Sequence, residues 1–126
     1  MEKNGFPKNI SDLNKHSFIS FGRGAPSPVY NPDWALKLGT KDNKKRKTVM
    51  KVNSVYGLLL AVQSGVGLAA LPDYITVNQP NIVKVLPNIE GPITEAHFVY
   101  PQSMKNVARV QAFRNFLYSK ISEWEF

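Results

Sequence analysis

The chain alternates short apolar runs with Gly, Pro, Asn and Ser punctuation. Phe18–Phe21 is apolar except for Ser20 and is bounded by Gly22-Arg23-Gly24, which predicts a buried strand ending in a flexible loop. Thr48–Val52 alternates well enough for a second strand, with Val49 out of phase and β-branched residues favouring it. Asn53 and Ser54 then end the strand and supply helix caps. Residues 55–64 are apolar except for Gly57, Gln63 and Ser64, so a helix buried on most sides is expected, closed by Gly65 as its terminal glycine. Residues 68–71, 82–86 and 95–101 are short apolar runs ended by Pro72, Pro87 and Pro101, and each predicts a strand. A last helix, capped by Asn106, is expected to bury the stripe Val107, Val110, Phe113, Leu117, Ile121 and Trp124, which recur at three- and four-residue intervals. Upstream, Asn4-Gly5-Phe6-Pro7 is a turn signal, and Ser11-Asp12-Leu13 fits one short helical turn. Asp33-Trp34-Ala35-Leu36 suits either an extended or a short helical piece, with Trp34 as a packing anchor.

The order of strand, helix, strand and strand indicates an α/β chain, and 126 residues with 43% hydrophobic content suffice for one modest core. No apolar stretch reaches the roughly 18 to 20 residues of a membrane span, and the N-terminus lacks the apolar centre of a signal peptide. The absence of cysteine excludes a disulfide scaffold, a thiolate zinc site and a cysteine nucleophile, and fits a reducing, cytoplasmic setting.

The formal charge of +7 raises the question of nucleic acid. Five cations, Lys41, Lys44, Lys45, Arg46 and Lys47, fall in one polar run before a strand, so a solvated hairpin tip is the simpler reading of residues 41–47. Gly65, Gly67 and Ala70 satisfy the loose GxGxxA pattern of dinucleotide sites, but that fingerprint needs a strand before it and a helix after it, the reverse of the order here. His16 and His97 are far apart with no second ligand at metal spacing, and no nucleophile elbow, phosphate loop or paired-carboxylate motif is present. No catalytic residue, metal or cofactor is therefore expected.

A ligand site is expected where two predicted elements end. Asn53 and Ser54 open a helix whose free N–H groups and positive dipole end favour an anion, and Ser20, Phe21, Gly22 and Arg23 end a neighbouring strand. A small carboxylate, with Arg23 able to pair with it bidentately, suits that chemistry.

The run from Asn53 through Gly65-Val66-Gly67-Leu68-Ala69-Ala70-Leu71-Pro72 resembles the effector-domain stretch of LysR-type transcriptional regulators, in which a polar cap, an apolar helix and GxG[IL]AxLP follow in order. Val83 to Pro87, Val99-Tyr100-Pro101 and Arg109 to Leu117 resemble that family's VxxVLP, VYP and RVRAFxxFL segments. Gly5-Phe6-Pro7, Ser11-Asp12-Leu13, His16 and Trp34 also fall where the family has them. The resemblance spans about residues 4 to 122. It implies a partial lobe like those of type 2 periplasmic binding proteins. Residues 1–93 would form the second lobe, and residues 94–126 a crossover strand and C-terminal helix returning to the first. The start of the first lobe and a winged helix-turn-helix that reads DNA would precede Met1. It further implies effector contacts around Ser20 to Arg23 and at Asn53 and Ser54, and homo-oligomers formed through effector domains. Two other classes remain open: a lobe of a solute-binding protein, which shares the fold, and a basic nucleic-acid-binding module using residues 41–47.

Overall fold

The structure, a computed structural model, describes residues 5–22 and 31–124. It divides into two compact units, Met1–Thr94 and Glu95–Phe126.

In the first unit, strand β1, Phe18–Phe21, pairs in parallel with strand β2, Thr48–Val52. The partners are Phe18 with Thr48, Ile19 with Met50, Ser20 with Lys51 and Phe21 with Val52, so the register slips past Val49. That residue, out of phase in the sequence, is therefore the extra one of an irregular ladder, and its side chain stays exposed. On the other side of β1, Leu68 forms a single parallel bridge with Phe18, through Leu68 N–H to Ser17 O at 2.9 Å and Ile19 N–H to Leu68 O at 2.8 Å. The expected strand over 68–71 is reduced to this bridge.

β1 is covered on both faces, which explains its continuous burial. Ile19 and Phe21 pack with Leu58 and Ala61 of helix α1, Val55–Gln63, joined by Val52, Val55, Val62, Ala69 and Leu71. Phe18 packs on the opposite face with Leu13 and Leu36, carried by 3-10 turns Ile10–Lys15 and Trp34–Leu36. The ambiguous segment around Trp34 is thus a short helical turn. Trp34 lies against Gly91, where an added Cβ would come within 2.9 Å of the ring, in keeping with a packing role.

The ends of α1 follow from local chemistry. Ser54 is the N-cap, its Oγ accepting the Gly57 N–H at 3.3 Å. At the other end Gly65 has φ +74°, its N–H bonds Val62 O at 2.9 Å, and the Val66 N–H bonds Ala61 O at 3.2 Å. These two bonds form a Schellman closure that few residues other than glycine adopt at that φ. A short helix α2, Asp73–Thr76, follows and buries Ile75.

Two expectations for this unit need correction. Residues 82–86 form no strand; Leu86 instead has φ 53° and accepts the Ile89 N–H at 2.9 Å, a turn that a straight ladder does not permit. Residues 41–47 are not a hairpin tip, because β1 and β2 are parallel. The run holds a 3-10 turn, Lys41–Asn43, and then returns along the turn at Trp34.

The second unit carries helix α3, Ala108–Ser122. Its N-cap is Val107, not the expected Asn106, with no side-chain cap bond. Phe98 packs edge-on against Phe113, centroids 5.7 Å apart, and against Tyr100 at 5.4 Å. Residues 95–101 are not in a ladder, since the described part of this unit offers no second strand to bond with. The apolar stripe of α3 is present, but no residue of α3 is buried, and Phe113 and Ile121 stay about half exposed.

Candidate functional site

The C-terminal end of β1 and the N-terminal end of α1 meet. Parallel pairing aligns Phe21 with Val52, and the next residues, Gly22 and Asn53, lie side by side: the Gly22 N–H bonds Val52 O at 2.8 Å, and a Cβ at Gly22 would sit 3.3 Å from Asn53 Cβ. A side chain at Gly22 would press on Asn53, so glycine eases this approach of the strand end to the helix entry. The first turn of α1 is pinned in turn by Gly57, where an added Cβ would lie 2.5 Å from Val52 Cγ1.

The six residues singled out from sequence have different places. Asn53 and Ser54 are exposed at the head of α1. Ser54 spends its hydroxyl on Gly57, so what it leaves for a ligand is the helix end it organises, with first-turn N–H groups and a partial positive charge of about half an elementary charge. Phe21 is buried, its ring in the core beneath α1, so only its backbone borders the site. Ser20 is buried and alternates with Phe21, so its side chain takes the other face of the sheet, beside its ladder partner Lys51. Gly22 and Asn53 are brought together. Arg23 lies outside the described residues.

Asp33 is a residue the sequence did not single out here. Its Oδ1 accepts the Phe21 N–H at 2.9 Å, and its Oδ2 lies 3.4 Å from Lys45 Nζ. It therefore fixes the outer edge of β1 just before Gly22. The partners are twelve residues apart, so no local pattern announces the bond. Among the described residues, no group of three or more His, Asp or Glu side chains is placed to hold a metal ion, and no helix is long and apolar enough to cross a membrane.

Main-chain donors at a helix N-terminus beside a strand end are, in general, chemistry that suits an anion. The family model of the LysR substrate binding domain matches residues 4–121. An HTH-type transcriptional regulator of Haemophilus influenzae, itself uncharacterised, is 30% identical over 105 residues, covering 80% of this chain and 35% of the regulator. The chain thus spans about a third of that relative's length. No solved structure gives a significant match.

Proposed function

The chain belongs to the LysR substrate-binding domain family, and from that membership we propose that it is an effector-sensing part of a transcriptional regulator and not an enzyme. In this reading it acts in the cytoplasm and binds a small anionic metabolite, most simply a carboxylate, where β1 ends and α1 begins. The meeting of Gly22 with Asn53 at the head of α1, where Asn53 and Ser54 are exposed, is the observation that carries the reading.

The first unit then corresponds to one lobe of a fold like that of type 2 periplasmic binding proteins. Residues 94–126 return to a first lobe that closes the cleft. A winged helix-turn-helix elsewhere in the regulator reads DNA. The exposed apolar side chains of α3 suit burial against further protein, either that first lobe or a second copy in a homo-oligomer.

Calorimetry with small mono- and dicarboxylates tests the one-lobe reading. A cleft buries about 70 to 90% of a small ligand between its walls. Losing half the contacts of a micromolar site worth about 8 kcal/mol leaves roughly 4 kcal/mol, a millimolar constant. Weak, saturable binding in that range is expected from this chain. A low-micromolar constant would contradict the reading that the cleft needs a second wall.

A further inference from the structure

On the face of the sheet opposite α1, a concavity of about 330 Å³ opens between β1, β2 and the basic run that precedes β2. Ser20 and Thr48 line it with hydroxyls, Leu36 gives it an apolar wall, and Lys45, Arg46, Lys47 and Lys51 surround it. Asp33 is the sole carboxylate among its lining residues, and both of its oxygens are engaged, one by the Phe21 N–H and the other by Lys45. Arg46 is committed as well, to Asn14, Ala35 O and Ile10 O. Lys47 and Lys51 belong to no ion pair among the described residues, and Lys51 is exposed.

Four cations held around one carboxylate repel one another, and a concave wall concentrates their field. Such a site is relieved by an anion carrying more than one charge. Its volume suits a metabolite-sized molecule and not a chain. We propose that this concavity is a second anion site, distinct from the head of α1, taking a small molecule with at least two negative charges, whether polycarboxylate or phosphate. Lys47 and Lys51 act as the charged contacts and the Ser20 and Thr48 hydroxyls as neutral ones. The basic run is thereby a ligand-binding feature and not merely a solvated loop.

The test is an amide-resolved NMR titration of the full chain with citrate, with inorganic pyrophosphate and with acetate. Saturable shifts at Lys47, Thr48 and Lys51 with citrate or pyrophosphate, and none with acetate, are expected. Each charge-assisted contact is worth about a factor of ten. The double variant Lys47→Gln, Lys51→Gln should therefore weaken binding at least tenfold, while Lys37→Gln, Lys84→Gln, which removes the same charge elsewhere, should change it less than twofold. Unchanged amide positions in α1 would establish that each variant is folded. Equal weakening by the two variants would overturn the proposal in favour of diffuse charge attraction. Absent shifts would overturn it too, as would shifts confined to Asn53 to Gly57, the latter leaving the carboxylate site at α1 in place. A random-sequence DNA duplex that binds at lower concentration than either small anion, shifting the whole of residues 41–47, would overturn it in favour of a nucleic-acid surface.

Discussion

Replacing Gly67 by alanine is expected to cost about 3 kcal/mol of folding stability, among the largest effects of any single methyl group added to this chain. A Cβ at Gly67 would stand 2.6 Å from Ser17 O and 3.0 Å from Ser17 C, and neither is the movable end of a side chain. The backbone at Ser17 is held in place by the Leu68 N–H bond to Ser17 O and the Ile19 N–H bond to Leu68 O, the two bonds that bridge residue 68 to β1. Relieving the clash means moving residue 68 away from β1, which loses both bonds and loosens Phe18 and Ile19 in the two cores. Gly65 provides the comparison. Nothing lies within 4 Å of the place its methyl would take, and only its φ of +74° resists a side chain, so Gly65→Ala should cost about 1 kcal/mol. Urea unfolding followed by circular dichroism measures both. Equal losses, or a larger one at Gly65, would show that the close approach at Ser17 is not what glycine serves at 67.

Arg46→Ala is expected to cost about 2 kcal/mol, whereas Lys44→Ala, two residues away in the same run, should change stability by less than about 0.5 kcal/mol. The Arg46 guanidinium joins three segments. Nε donates to Asn14 Oδ1 at 2.8 Å, Nη1 to Ala35 O at 3.1 Å and Nη2 to Ile10 O at 3.4 Å, while its Cζ lies 5.7 Å from the centre of the Phe18 ring. Burial lowers its pKa from the ordinary arginine value, yet arginine stays charged at any working pH. Removing it leaves two part-buried carbonyls without that donor and uncovers an edge of the Phe18 core. Arg46→Lys should recover less than half of the loss, because one ammonium cannot span the three acceptors. Thermal and urea unfolding of the three variants decide the matter. Equal stability of Arg46→Ala and Lys44→Ala would reduce Arg46 to one more solvated cation.

That contrast shows where sequence is informative. Asn53 to Gly65 was legible because everything that shapes α1 is local: a hydroxyl three residues before the N–H it caps, an apolar run, and a glycine where the chain must turn left-handed. β1 was legible from its short apolar run bounded by glycines, although its partners are distant, and even the irregular register at Val49 showed as a broken alternation. The role of Arg46 was not legible, since its partners lie 11 to 36 residues away and nothing in a string of basic residues distinguishes the one that turns inward. Residues 82–86 and 95–101 carry strand composition, but a strand exists only where another offers its hydrogen bonds, and neither has such a partner among the described residues. The α3 stripe likewise shows that a face is apolar without showing what covers it. At the candidate site the sequence indicated the two regions that meet. The division of labour within them, with Phe21 packing, Ser54 capping and Ser20 facing the other side of the sheet, depends on a pairing register that composition does not encode.

The most direct test of the sensor reading is to titrate the full chain with propionate, which carries a single charge, into the tens of millimolar and follow every backbone amide by NMR. The largest saturable shifts are expected at Gly22, Asn53, Val55 and Tyr56, where the strand end meets the head of α1. Uniform small shifts throughout the chain, or none at these four amides, would contradict the assignment of this junction as a ligand site.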